Sequence, residues 1–172
     1  MIYLLDANVL ITAHSYYYPV DAVPEFWSWI AHQAANNKIK IPVEIYEEIK
    51  DGSNDAEQDL LYAWIQDSDH KKATVLSKDV DPAMVQRVIA EGYANDLTDD
   101  ELEQLGRDPF LIAYALAAPN DYCVVTTEVS KPRKQRQNRR IPDVCNTLGL
   151  RCIDTFSMLR ELQFRTNWNQ GR

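Results

Sequence analysis

Cysteine and histidine are scarce in this sequence, which holds three of each. The cysteines, Cys123, Cys145 and Cys152, are odd in number and lack C-x-x-C spacing, and no histidine lies near a cysteine pair. A disulfide framework and a structural zinc site are therefore not expected, because both need clustered residues. We expect reduced, buried cysteines and a cytoplasmic location.

Membrane and export signals are also missing. No apolar run approaches the roughly 18 residues that a membrane-spanning helix requires, so we expect no membrane partner. The opening segment MIYLLDANVLITA is apolar but carries Asp6 and Asn8 in its middle. Because it has neither a basic leader nor a small-residue cleavage site, we predict a strand and not a signal peptide.

Positive charge is in short supply overall, since the net charge is −8. This balance argues against a general nucleic-acid binder, because nonspecific phosphate binding requires a positive surface. Residues 131–140, KPRKQRQNRR, are the exception and form the basic run. It contains six basic residues and no acidic one: Lys131, Arg133, Lys134, Arg136, Arg139 and Arg140. We predict that the basic run binds RNA phosphates, with a solvated loop as the alternative.

Short apolar runs alternate with helical patterns along the chain. Five runs are typical of buried strands: residues 2–5, 39–41, 73–76, 122–126 and 150–153. Apolar residues at helical spacing predict amphipathic helices in residues 24–37 and 54–67, and a last helix in residues 155–163. The alternation predicts an α/β fold with a parallel sheet. The length favours one domain, residues 1–163, followed by a frayed polar tail, residues 164–172.

Several helix ends are marked in the sequence. Thr98 and Glu101 have the spacing of a capping box, and Gly106 is expected to end the helix that follows. Asp81 and Asp108 each precede a proline that suits a first helical turn. Residues 109–119 carry no charge, so the helix FLIAYALAA should be buried on nearly every side.

Four acids lie near the ends of the predicted core elements, where open parallel sheets bind their ligands. Asp6 follows the first strand, Asp108 begins the charge-free helix, and Glu128 follows the strand YCVVTT. In the helical stretch after the second strand, Glu47 and Glu48 flank the apolar arc, whereas Glu44 falls on the solvent side. Acids this close would repel one another unless a cation or shared protons compensated. Oxygen ligands alone favour Mg²⁺ or Mn²⁺.

Each acid also has an ordinary structural explanation. Asp108 before Pro109 has the position of a helix cap, and Glu48 on a helix flank is compatible with a solvated surface acid. Asp6 would cap a turn together with Asn8, although an acid directly after a buried strand needs a partner. The set is therefore more informative than any single member.

Taken in order, the motifs resemble those of PIN-domain nucleases over most of the chain. LLDANVLI resembles the opening D-x-N signature, DPFLIAYALA the third motif, and VVTTE the fourth, which is usually T-x-D. Residues 42–52 resemble the second motif, P-x-x-x-x-x-E-I-x-x-G, whose acid selects Glu48 over Glu47. The segment IPDVC, residues 141–145, is similar to one found in a bacterial and archaeal subgroup of PIN-like proteins.

The resemblance implies a single Rossmann-like domain with about five parallel strands in the order 3-2-1-4-5, flanked by helices. It implies that Asp6, Glu48 and Asp108 bind Mg²⁺ or Mn²⁺, with Asn8 and Thr126 as supporting polar residues. Glu128 replaces the usual fourth Asp and is expected to reach the metal differently or through water. Asp143 would either assist it or cap the short helix before Gly149.

The activity implied is that of a metal-dependent endoribonuclease, commonly the VapC-type toxin of a type II toxin–antitoxin pair. The basic run would then bind RNA or dock an acidic segment of a cognate antitoxin. A catalytically degraded PIN-like module that binds RNA or protein is the alternative, and a homodimer is left open. A haloacid dehalogenase phosphatase ranks low, because that class needs D-x-D where Asn8 stands.

A cluster of aromatic residues, Tyr16, Tyr17 and Tyr18, follows the first motif. Such rings stack on bases or clamp a partner helix. Packing against the following helix is the alternative.

Overall fold

A computed structural model describes residues 1–52 and 59–170 of the chain. In this part, four parallel strands form one sheet in the order β2-β1-β3-β4. The strands are β1 (Ile2–Leu5), β2 (Ile39–Lys40), β3 (Tyr122–Val125) and β4 (Cys152–Ile153). Every residue of β3 is buried, as expected for a parallel strand covered on both faces. The predicted α/β fold with a parallel sheet flanked by helices is confirmed.

The predicted strand at residues 73–76 is wrong for most of its length. Residues 73 and 74 complete a helix, in which the Thr74 hydroxyl donates to the His70 carbonyl at 2.7 Å. Only Val75 remains, as an isolated parallel bridge to Ile41. The apolar, β-branched composition suggested a strand, but the threonine hydroxyl finds its acceptor inside the helix. The described sheet therefore has four strands, and the predicted order lacks its outermost member.

Helices connect the strands and surround the sheet. They are α1 (Ala7–Thr12), α2 (Pro24–Ala35), α3 (Val43–Asp51), α4 (Leu60–Gln66), α5 (Ser68–Thr74), α6 (Pro82–Arg87), α7 (Asp99–Leu105), α8 (Asp108–Ala117), α9 (Ile141–Thr147) and α10 (Thr155–Glu161). Two helices run on into wider π-helical turns, α1 into Ala13–Tyr17 and α6 into Val88–Tyr93. Of the helix predicted over residues 54–67, residues 54–58 lie outside the described part.

Local signals placed most helix ends correctly. Thr98 and Glu101 form the predicted capping box, and Gly106 follows α7 with a φ of 58°, which favours glycine. Asp81 caps α6 by accepting from the Ala83 N–H at 2.8 Å. Helix α8 is buried over most of its surface, as its uncharged sequence predicts, and packs against β1 and β3.

The predicted frayed tail is wrong for its two aromatic residues. The Phe164 ring lies 4.9 Å from Trp29 and 5.6 Å from Phe26 between ring centroids. Trp168 stacks near His32 and donates through Nε1 to the Glu25 carbonyl at 3.1 Å. Both side chains gain by leaving water, since an aromatic ring buries a large apolar area. The chain is therefore packed against α2 beyond residue 163.

The three cysteines are free thiols, as predicted. Cys123 and Cys145 are buried, and Cys152 is partly buried. Contact with Cys152, together with burial, raises the pKa of the Cys145 thiol well above its usual value. No helix of residues 1–52 and 59–170 is long and apolar enough to cross a membrane.

Candidate active site at the carboxyl ends of the strands

The central strands β1 and β3 lie side by side. After β1 the chain continues to β2 at one edge of the sheet, and after β3 it continues to β4 at the other edge. A crevice at such a point, beyond the carboxyl ends of the strands, is the usual ligand site of open parallel sheets. Asp6 follows β1 directly, and its N–H donates to the Val125 carbonyl at 2.9 Å. Glu128 comes three residues after β3. The fold therefore brings two of the predicted acids to this crevice.

Asp6 is buried and oriented by Thr126. The residue is only 2% exposed, and its Oδ2 atom accepts a hydrogen bond from the Thr126 hydroxyl at 2.8 Å. The same hydroxyl accepts from the Glu128 N–H at 3.1 Å, which links the two acids. Burial raises the pKa of Asp6, and the charge of Glu128 adds to the rise. Asp6 stands at the N-cap of α1 without a side-chain capping bond, although hydrogen bonds from the backbone N–H groups of Asn8 and Ala7 act to lower its pKa. A turn cap alone therefore does not account for its burial and its bond from Thr126.

Glu48 faces the crevice, whereas Glu47 lies at the surface. Burial raises the pKa of Glu48, the charge of Asp6 raises it further, and Arg107 opposes the rise. The Glu48 Oε2 atom is buried and has no hydrogen-bond partner among the described residues. Glu47 instead pairs with Lys50 at 3.8 Å on the outside of α3. The fully solvated explanation of Glu48 is therefore wrong.

Asp108 is the first residue of α8, and Arg107 occupies the N-cap position, so the expected role of Asp108 as the cap is wrong. Burial raises its pKa to about 8, and the charges of Asp6, Glu128 and Glu48 contribute in that order. Arg140 opposes the rise. Asp108 thus interacts electrostatically with all three of the other acids, and negative charge is concentrated around it.

Arg107 joins helix α3 to the start of α8, and the sequence analysis did not single it out. Its Nη1 donates to the Glu44 carbonyl at 2.6 Å, and its Nη2 donates to Asp51 at 2.7 Å. Arg107 therefore binds both ends of α3, and these bonds hold Glu48 near Asp108. Glu44 is partly buried, with a buried Oε2, so its predicted place on the solvent side is also wrong.

Tyr93 is a second residue that the sequence did not single out. It is 7% exposed, and its hydroxyl has no partner among the residues that the structure describes. Burial raises the pKa of the phenol, and the charges of Asp108 and Glu128 act on it. A β-carbon on the preceding Gly92 would lie 2.6 Å from Val144 Cγ1, so glycine is what lets this turn approach α9.

Glu128 and Asp143 each have both carboxylate oxygens engaged. Glu128 accepts from Arg140 Nη1 and from the Ile141 N–H, both at 2.8 Å. Asp143 accepts from the Ser130 hydroxyl and from the Lys131 N–H at 2.7 Å, and it lies within α9 instead of capping it. Asp143 therefore anchors the start of the basic run.

The basic run divides into anchoring and exposed residues. Arg136 pairs with Asp96 and Glu101, each at 2.7 Å, and Arg139 donates to the Gly92 carbonyl and to Thr147. These contacts fix the loop onto the helices. The exposed cations are Lys131, Arg133 and Lys134.

A polar cavity of about 310 Å³ brings acids and cations together. It is lined by Asp108, Glu128, Lys134, Arg139 and Arg140, among other polar residues. A phosphate group would find both kinds of group in one place, because cations bind its oxygens and acids recruit a metal ion. We call this space the phosphate cavity.

The acids suit a hard divalent cation. In the described part, no three His, Cys, Asp or Glu side chains converge closely enough to hold a metal ion as they stand. The charges of the four acids nonetheless act on one another, and Glu48 has a buried oxygen without a partner. Carboxylate oxygens are the preferred ligands of Mg²⁺ and Mn²⁺. Asp6, Glu48 and Asp108 therefore fit such an ion by chemistry and by charge.

No curated protein matches this chain. The sequence model of one protein family matches residues 3–166, which include all of the sheet but Ile2, the four acids and the packed Phe164. The chain belongs to the family described as "Domain of unknown function (DUF4411)".

Proposed function

We propose that this protein is a PIN-like, metal-dependent endoribonuclease that hydrolyses RNA phosphodiester bonds with Mg²⁺ or Mn²⁺. One observation carries the proposal: the fold gathers Asp6, Glu48, Asp108 and Glu128 so closely that partial burial and their charges raise the pKa of Asp108 to about 8. Such a concentration of negative charge is costly unless a cation compensates it. Strongly shifted carboxyl groups in a crevice are also typical of functional sites.

Asp6, Glu48 and Asp108 are the residues that would hold the ion. When bound, the ion would activate a water molecule and stabilise negative charge on the phosphate under attack. Thr126 keeps Asp6 oriented through its hydroxyl. Both oxygens of Glu128 already accept hydrogen bonds, so we assign it to a contact through water and to positioning Arg140.

The cations next to the acids would bind the substrate. Lys134 and Arg140 line the phosphate cavity, where an arginine or lysine contacts phosphate oxygens through charge-assisted hydrogen bonds. Lys131 and Arg133 extend the positive surface along the loop toward neighbouring phosphates. Since RNA carries one charge per nucleotide, three or four cations suit a short single-stranded segment.

We further propose that the protein is a cytoplasmic toxin of a type II toxin–antitoxin pair, by the resemblance of its motifs. An acidic antitoxin segment would bind the exposed cations and so compete with RNA. The alternative function, a degraded PIN-like binding module, is favoured by one observation. Arg140 neutralises Glu128, which stands where such nucleases usually carry Asp.

The test is RNA cleavage by purified protein with Mg²⁺ or Mn²⁺, together with metal binding by calorimetry. We expect Asp6→Asn and Glu48→Gln to lose at least about 100-fold in cleavage and to bind the metal more weakly. Glu47→Gln is the matched control, because Glu47 is next to Glu48 in the sequence but lies at the surface, and it should behave as wild type. Equal cleavage by Asp6→Asn would refute the nuclease. Absence of metal binding with RNA binding intact would support the degraded module.

A further inference from the structure

A second cavity, of about 350 Å³, lies beside the candidate active site. Its walls come from α1, the π-helical turn that follows, and the start of α10. The residues that matter here are Thr12, Tyr17, Thr127, Thr155 and Phe156. We call it the aromatic cavity. Its size is at the lower end of pockets that bind small organic groups.

Two aromatic rings stand exposed at this cavity. Tyr17 is 54% exposed and Phe156 is 41% exposed, and their rings meet edge to face with centroids 5.3 Å apart. Tyr18 also lines the cavity, but its ring stacks on Phe26 at 4.4 Å and packs against the core. Packing against the following helix therefore explains Tyr18 but not Tyr17. Exposed rings beside a cavity are typical of a binding site.

The aromatic cavity also contains polar groups suited to a base edge. Thr155 is only 9% exposed, and its hydroxyl has no hydrogen-bond partner among the described residues. Asp154 lies beside it, held in place by the N–H and hydroxyl of Ser157 at 3.0 Å and 2.6 Å. Buried hydroxyls usually have a partner, so the free Thr155 hydroxyl points to a ligand that supplies one.

Three consecutive residues connect the aromatic cavity to the active site. Thr127 lines the aromatic cavity, Thr126 donates to Asp6, and Glu128 lines the phosphate cavity. Adjacent residues lie about 3.8 Å apart along the chain. The two cavities therefore border the same short segment, which contains Glu128 and is hydrogen-bonded to Asp6.

We propose that the aromatic cavity binds a nucleobase of single-stranded RNA, from a nucleotide next to the phosphate at the acids. This inference rests on the proposed function. Tyr17 and Phe156 would stack on the base, and the Thr155 hydroxyl would bond to its edge. The phosphate cavity borders the adjacent residue, Glu128, and this favours a nucleotide over a protein side chain, since one nucleotide supplies both a ring and an adjacent phosphate.

The experiment measures binding of a fluorescein-labelled, single-stranded oligoribonucleotide of mixed sequence by the full chain carrying Asp6→Asn. Tyr17→Ala and Phe156→Ala are added to this parent one at a time. Each should weaken binding about tenfold, as expected for loss of one base–aromatic stack. Tyr16→Ala is the matched control, because it is 79% exposed and does not line the cavity, and it should bind as the parent does. An oligonucleotide of abasic sugars should bind all variants equally.

The inference is overturned if Tyr17→Ala and Phe156→Ala bind as tightly as Tyr16→Ala, which would leave a protein ligand as the occupant. It is also overturned if the parent binds no RNA. Cleavage separates the two proposals. If the wild type does not cleave RNA but binding depends on Tyr17 and Phe156, the nuclease fails and the base site stands. If it cleaves and both variants keep affinity and cut positions, only the base site fails.

Discussion

Removing the charge of Asp108 should stabilise the protein when no metal is bound. Burial and neighbouring acids raise the pKa of Asp108 from 3.8 to about 8. Between these values the folded protein holds a proton that the unfolded chain has released, so the free energy of unfolding falls as the pH rises. The loss begins near the unfolded value, about pH 4, and is complete above about pH 8.

The size of the effect follows from the shift. A change in the pKa of Asp108 from 3.8 to about 8 corresponds to a change of roughly 5–6 kcal/mol in the free energy of unfolding, at about 1.36 kcal/mol per pKa unit. Asp108 lines a cavity, where water and side-chain movement screen its charge, so we expect a loss of about 2–3 kcal/mol from about pH 5 to about pH 8. Asp108→Asn removes the charge and keeps the shape. In EDTA the free energy of unfolding of this variant should exceed that of the wild type by about 2–3 kcal/mol at about pH 8 and should match it near pH 5.

Urea unfolding followed by tryptophan fluorescence measures this difference at both pH values. Mg²⁺ or Mn²⁺ should then stabilise the wild type, by about 2.7 kcal/mol at roughly 100 times its dissociation constant, and should leave Asp108→Asn nearly unchanged. Glu47→Gln controls for the loss of a surface acid on α3. An Asp108→Asn variant no more stable than wild type at the higher pH would refute the idea that the acids repel.

Three further predictions concern other parts of the molecule. Arg107→Ala should cost about 1–3 kcal/mol in urea unfolding and weaken metal binding about tenfold in calorimetry, because Arg107 holds α3 against Asp108. Arg87→Ala, at a surface pair with Glu91, is its control, and unchanged metal affinity of Arg107→Ala would contradict the positioning role. Phe164→Ala should cost about 2–4 kcal/mol, since its ring packs against α2; a loss below about 0.5 kcal/mol would restore the frayed tail. RNA binding should weaken with salt at a slope near −2 on a double logarithmic plot, from about three phosphate contacts at about 0.7 each. A slope near −4 would mean that all six residues of the basic run bind phosphate.

The sequence predicted the positions of the acids better than their surroundings. Asp6 and Asp108 were found because each lies at the end of a short apolar segment, and that pattern is local. Glu48 was separated from Glu47 by the resemblance, and burial in the fold supports the same choice. The roles of Arg107 and Tyr93 depend on contacts between distant segments, and no local pattern reports such contacts.

The same limit explains the errors in the fold and in the basic run. Residues 73–76 have the composition of a strand, but the hydrogen bond from Thr74 to His70 keeps the helix going. Six cations in ten residues suggested one continuous RNA-binding surface. Arg136 and Arg139 instead bind groups far away in the sequence, including Asp96 and the Gly92 carbonyl. Counting charges cannot separate cations that fix a loop from cations that stay in solvent.

The partners of the neighbouring arginines bear on why a metal ion suits this site. Arg107 lies directly before Asp108 but donates to the Glu44 carbonyl and to Asp51, and Arg140 donates to Glu128. Their charges lower the pKa values of Glu48 and Asp108, yet both pKa values remain raised. The chain's own cations therefore do not neutralise the cluster around Asp108. A compact divalent ion would supply the missing charge and prefers carboxylate oxygens, which is why the proposed activity is metal-dependent and does not rely on phosphate binding by arginine alone.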